Sequence, residues 1–123
     1  MEDTHRVSTL ADWYLKEQLD FDKRLIRFRY LTLKKHFQGP EALELGPAEG
    51  EMTQFLVNDF EQLTIVEGSA ELLQQIPCQS NLIKIHSLFE DFKPKIKYNT
   101  IIMEHILEHV EQPVMLLMRV KDW

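Results

Sequence analysis

Cysteine is almost missing from this chain. Its 123 residues hold one, Cys78, so no internal disulfide can form, and a reduced, cytoplasmic setting is the default expectation. Cys78 follows Pro77 in an expected loop, and nothing beside it would activate the thiol. No run of about 18 apolar residues is available to cross a bilayer, and no amino-terminal apolar run precedes a small-residue cleavage site. A membrane is therefore not an expected partner. Positive charge is short as well: 14 basic residues face 20 acidic ones, for a net charge of -6. Proteins that neutralise nucleic-acid phosphates carry a basic face. The one local basic cluster, from Lys23-Arg24 to Lys34-Lys35, is spaced among apolar residues as on a solvated helix, so nucleic acid is not expected either. Internal repeats and low-complexity stretches are also lacking.

What remains is ordinary globular material, 44% hydrophobic and 28% charged, enough for one modest core. Gly39-Pro40 separates two textures. Residues 1–38 form a helical segment: Leu10, Trp13 and Tyr14 fall at helical spacing, and Leu25, Ile26, Phe28, Tyr30, Leu33 and Phe37 continue it. Asp20 or Asp22 is placed to cap a second helix there. Residues 39–123 alternate instead. Ala42 to Leu45 reads as a strand, residues 50–60 as a helix burying Met52, Phe55, Leu56 and Phe60, and Leu63 to Val66 as a β-branched strand. Residues 69–76 read as a helix capped by Ser69, with Leu72, Leu73 and Ile76 on its buried face. Leu82 to Ile85 and Thr100 to Met103 are two more strands, and residues 112–121 a last helix with Pro113 in its first turn. Such alternation implies a parallel sheet covered by helices, joined by right-handed crossovers.

The first strand runs into Glu44-Leu45-Gly46-Pro47-Ala48-Glu49-Gly50, followed by a helix. A turn of this kind offers free backbone N–H groups at the helix start, and glycine lets a ligand approach the backbone. Glu67, 21 residues after Gly46, ends the second strand, where a carboxylate can accept ribose hydroxyls. The dinucleotide pattern G-x-G-x-x-G is not matched, which leaves an NAD-binding oxidoreductase as a weaker alternative. The spacing resembles the loop of class I S-adenosylmethionine-dependent methyltransferases, acidic-x-Gly-x-Gly-x-Gly, with Ala48 in the middle glycine's place. Leu63 to Gly68 is similar to that family's second motif and residues 81–90 to its third strand and loop. His105-Ile106-Leu107-Glu108-His109-Val110-Glu111-Gln112-Pro113 is similar to its His-x-Leu-Glu-His-Val-x-x-Pro run.

The resemblance implies a Rossmann-like three-layer α/β sandwich with a mostly parallel sheet. It implies S-adenosylmethionine as cofactor and methyl transfer to a small-molecule or sugar-type acceptor. The cofactor would lie on Glu44, Gly46, Pro47, Ala48 and Gly50 in the loop, on Glu67 and Gly68 after the second strand, and on Leu88 and Phe89 after the third. Glu104 would close it after the fourth, with His105 beside the methyl group as a candidate base. An acidic loop suits a ligand whose sulfonium and amino groups are cationic. The family sheet has seven strands in the order 3-2-1-4-5-7-6, so the four found here read as a truncated domain. The fourth strand would then be an open edge with which a second copy could pair. A truncated, non-catalytic nucleotide-binding or assembly module is the competing function. His105, Glu108 and His109 also spell H-x-x-E-H, a zinc-protease signature, but that motif needs a continuous helix. Here it directly follows a strand, with Pro113 four residues beyond it.

Overall fold

A computed structural model describes residues 20–123 of the chain. Two compact units divide it, with the boundary between Lys35 and His36. In the first, residues 20–34 are helical (α1), so Asp22 lies within the helix rather than at its cap. Lys23, Arg24, Lys34 and Lys35 are all exposed, as a solvated face requires. The helical spacing at Leu10, Trp13 and Tyr14 falls outside the described residues.

The second unit follows the order β1 (Glu41–Leu45), α2 (Thr53–Leu56), β2 (Gln62–Glu67), α3 (Ala70–Gln75), β3 (Leu82–His86) and β4 (Thr100–Met103). A 3-10 turn (Leu107–His109) and α4 (Pro113–Val120) come last. The four strands form one sheet in the order β3-β2-β1-β4, and every pairing is parallel. The two central strands are buried on both faces, as parallel strands covered by helices are, with Glu44 and Thr64 as the buried polar members. Leu43, Leu45, Leu63, Ile65 and Val66 are fully buried, each worth roughly 1.5–3 kcal/mol against exposure.

The pleat sends alternate residues to opposite faces. On one face, Leu43, Leu45 and Val66 pack with Phe92, Ile106 and Leu116, so α4 covers that side. On the other, Glu44 meets Thr53 of α2. The sheet therefore lies between helical layers, the Rossmann-like arrangement expected of it.

One element differs from the reading of the sequence. The helix expected over 50–60 shrinks to Thr53–Leu56, with turns on either side. Gly50 is the reason on the amino-terminal side: its φ of +83° belongs to a turn, not a helix. Met52, Leu56 and Phe60 are buried all the same, so the periodicity had registered burial rather than helix length. In β3 a lysine, Lys84, stands between Ile83 and Ile85, where the sequence places it. Lys84 Nζ donates to the Leu73 carbonyl at 3.2 Å and to that of Ile76, a favourable place for a cation at the carboxyl end of α3. Ser69 caps that helix as expected, accepting from Leu72 N at 3.3 Å. Cys78 is exposed between α3 and β3. Among the described residues no helix is long and apolar enough to cross a membrane.

Candidate functional site

The parallel strands all end on one rim, and β1 lies between β2 and β4. Chain order reverses there, and the crevice beyond such a reversal is where open α/β sheets hold ligands. The β1 ladder continues one residue past the strand, Gly46 N donating to Val66 O at 2.9 Å. The chain then turns sharply: Gly46 has φ +71°. A Cβ on Gly46 would stand 2.6 Å from Ile106 Cγ2 and 3.3 Å from Phe89 Cζ, so glycine is required twice, by conformation and by space. Pro47 is buried and its carbonyl accepts from Gly50 N at 2.9 Å, closing the turn. At Gly50 a Cβ would meet Ile76 Cγ1 at 2.9 Å.

Ala48 stands between these glycines with φ +50°. A left-handed alanine costs about 1–2 kcal/mol. Glycine's extra freedom in the unfolded chain takes back about 0.4–1 kcal/mol. Ala48→Gly is therefore expected to stabilise the unit slightly, raising Tm by about 2–4 °C. A calorimetric Tm that stays level or falls would show that the loop carries no strain at Ala48.

Glu67, at the tip of β2, reaches this loop. Its Oε2 accepts from Ala48 N at 3.0 Å and its Oε1 from Ser69 N at 3.1 Å. A carboxylate has about four acceptor positions. Two are used, which leaves each oxygen able to accept one hydroxyl. Gly68 follows, its α-carbon facing Leu88: a Cβ there would be 3.3 Å from Leu88 Cδ2. Its carbonyl meets His86 Nε2 at 3.0 Å. Leu88 is 59% exposed, whereas Phe89 packs against the core with its ring edge at Gly46.

Glu44 is only 4% exposed. It lies under the loop rather than in it, accepting from Thr53 Oγ1 at 2.7 Å. Burial pushes its carboxyl up to about 7; the Thr53 hydroxyl works against that rise and the charge of Glu104 adds to it. Glu49, the other acid of the loop, is exposed. Glu104 follows β4. In the register Glu44 pairs with Ile102, and Glu104 comes two residues later, one pleat nearer the rim.

His105 has φ +53°, a second non-glycine residue in the left-handed region. Such strain persists only where surroundings enforce it and gathers at functional positions. Its Nδ1 is 3.4 Å from Glu108 Oε1, and the same oxygen is 3.9 Å from His109 Nε2. Glu108 is held below the usual carboxylate range, chiefly by its own backbone N–H, with both imidazoles contributing. The continuous helix required by a zinc-protease H-x-x-E-H is not formed: the segment is a left-handed residue followed by a short 3-10 turn.

The loop, Glu67, Gly68, Leu88, Phe89, Glu104 and His105 thus all belong to the strand tips. Four participants were not foreseen from sequence. Thr53 supports Glu44, Ile106 and Ile76 wall the two glycines, and Ser69 shares the carboxylate of Glu67. Thr53 could have been suspected as the one hydroxyl among apolar helix positions; the isoleucines carry no local signal. A groove of about 440 Å3 also opens beside the site. It shares Leu88 and continues to Val110, Met115 and Arg119. Arg119 Nη1 donates to the Glu90 carbonyl at 2.6 Å, tying α4 to the loop after β3.

A parallel sheet with a glycine turn, a strand-tip acid and a reversal of chain order defines a Rossmann-like nucleoside-binding class of protein. Residues 15–123 match the family model described as a methyltransferase domain, and the chain belongs to that family. Solved structures agree in fold. A coclaurine N-methyltransferase bound to N-methylheliamine and S-adenosylhomocysteine superposes with a TM-score of 0.66 at 19% identity, over 76% of this chain and 30% of that one. The plantazolicin methyltransferase BpumL, in complex with S-adenosylhomocysteine, gives 0.64 at 19% identity over 82% and 40%. The glycopeptide N-methyltransferase MtfA, complexed with sinefungin, gives 0.60 at 20% identity over 76% and 42%. This chain therefore spans about a third to two fifths of the length of these relatives. No curated protein matches it in sequence.

Proposed function

We propose that this chain is the cofactor-binding part of an S-adenosylmethionine-dependent methyltransferase acting on a small-molecule or sugar-type acceptor. One observation carries the reading: the Glu67 carboxylate holds the Ala48 amide at 3.0 Å, so the glycine turn and the strand-tip acid form one cradle. The residues fit the cofactor. Gly46 and Gly50 leave room where a side chain would collide. Glu67 keeps one acceptor position on each oxygen for ribose hydroxyls. Gly68, Leu88 and Phe89 offer a small, partly apolar platform for adenine. Glu44 and Glu104 supply negative potential for a cationic tail.

When bound, S-adenosylmethionine supplies a methyl group already activated by its sulfonium. The chain's task is then to align donor and acceptor and to exclude water. A base is needed only where the acceptor must lose a proton first. His105 takes that role in this reading, with Glu108 beside its Nδ1. Turnover of a His105→Ala variant should fall by 100-fold or more if it is the base, the usual scale of general-base catalysis. Undiminished turnover would leave His105 as a wall of the pocket.

Binding is tested by calorimetry. S-adenosylhomocysteine should bind with micromolar affinity, and Glu67→Ala should weaken it at least tenfold, since two hydrogen bonds to a charged group are lost. Selective binding of NAD instead would move the chain to the oxidoreductases. A second copy is the partner favoured by the sheet itself: among the described residues β1 is the one strand paired with β4, and Thr100–Met103 carries no charge to discourage further pairing. Sedimentation showing a monomer at all concentrations would remove that partner.

A further inference from the structure

The burial of Glu44 is unusual, because a carboxylate is seldom buried in the middle of a sheet without a cation beside it. Its only described hydrogen-bond partner is the hydroxyl of Thr53, at 2.7 Å. A second acid lies close by: Glu44 registers with Ile102, and Glu104 follows the end of β4 near enough for its charge to act on Glu44. One oxygen of Glu104, Oε1, is shielded from solvent. Among the described residues, Glu104 is the charged group that acts on Glu44, and it acts by repulsion. On the outer side of Glu104 stands the His105 imidazole, Nε2 at 3.9 Å from Oε1. Two carboxylates stacked toward the β1–β4 reversal, one of them out of water, do not both ionise readily.

We infer that Glu44 holds a proton while the site is empty and releases it when the cationic tail of a ligand arrives, so that binding and deprotonation are one event. This rests on the S-adenosylmethionine reading of the site. A positive group near the strand tips makes the ionised form of Glu44 favourable; the proton leaves to solvent and the carboxylate stays, paired through space with the ligand's ammonium. Charge balances with S-adenosylmethionine, whose ammonium and carboxylate cancel and whose sulfonium leaves one net positive charge to replace the proton. The consequence is an affinity that depends on pH. Below neutrality the proton must be expelled at a cost, and binding weakens toward a limit of tenfold per pH unit. Well above neutrality the dependence flattens.

Isothermal titration of the full chain with S-adenosylmethionine at pH 7, in phosphate and in Tris, tests this. Those buffers differ widely in ionisation enthalpy, so a released proton appears as a difference in apparent binding enthalpy. With the Glu44 carboxyl near 7, about half a proton per ligand is expected. Glu44→Gln keeps an acceptor for Thr53 and should abolish the difference, with binding weakened because the amide offers the ligand's cation no charge. His105→Asn removes the imidazole beside Glu104 and should leave the difference in place. Equal enthalpies in the two buffers, with binding intact, would overturn the proton exchange and leave the cofactor reading standing. A difference that survives Glu44→Gln but vanishes in His105→Asn would also overturn it, by assigning the proton to the imidazole. No binding at millimolar ligand would overturn the cofactor reading and this inference together.

Discussion

Gly46→Ala should destabilise the second unit by roughly 3 kcal/mol and abolish ligand binding. Two costs combine. An alanine at φ +71° carries about 1–2 kcal/mol of left-handed strain. Its methyl would lie 2.6 Å from Ile106 Cγ2 and 3.3 Å from Phe89 Cζ, and overpacking of a filled region costs about 1–3 kcal/mol. Ile106 cannot give way cheaply, because it is buried in the cluster with Leu43, Leu45 and Leu116. Against a total stability of about 5–15 kcal/mol, such a loss is large. Gly68→Ala is the matched control. Its methyl would meet Leu88 Cδ2 at 3.3 Å and, at ordinary contact distance, the Ser87 carbonyl oxygen at 3.9 Å; the Leu88 side chain is largely exposed and free to turn. A change within about 0.5 kcal/mol is expected there. Urea unfolding of both variants decides the matter: equal midpoints would refute the role given to Ile106 and Phe89.

Glu44→Gln should leave stability unchanged near pH 4 and raise it on the order of 3 kcal/mol above neutrality. The Glu44 carboxyl sits at about 7 in the fold against an ordinary 4.5. Below pH 4.5 the folded and unfolded chains both hold the proton, and burial costs no ionisation. Between 4.5 and 7 the unfolded chain releases it while the folded chain does not, so stability falls as pH rises. Past 7 the loss is complete, at roughly 1.4 kcal/mol for each unit of displacement. Glutamine cannot titrate, yet it still offers Thr53 an acceptor. Unfolding free energies of the two proteins from pH 4 to 8.5 should therefore diverge through that window. Parallel curves would mean that Glu44 ionises in the fold like any surface carboxylate.

Much of the fold was legible before any coordinates. β4 was read to the residue, and β1, β2 and β3 to within one residue at each end, because runs of β-branched and aliphatic residues between turn signals leave little choice of state. The parallel order followed from alternation with helices. The length of α2 was not legible: Met52, Phe55, Leu56 and Phe60 keep helical spacing whether the segment is one helix or a short helix between turns. The site divided in the same way. Glu44, Gly46, Gly50 and Glu67 announce themselves by spacing. Thr53, Ile76 and Ile106 do not, since their importance lies in what they touch across 9, 26 and 60 residues of chain from Glu44, Gly50 and Gly46 respectively.

Composition and order along the chain were enough to set the strands, their direction, the glycine turn and the acid at the tip of β2, since each depends on local preference and on burial periodicity. They could not say that Glu44 would lie under the loop against Thr53, that Glu67 would hold the Ala48 amide, or that Gly46 would be pressed by Ile106. Those are distances between segments far apart in sequence, and they come into being only when strand pairing and core packing fix one register and exclude the others.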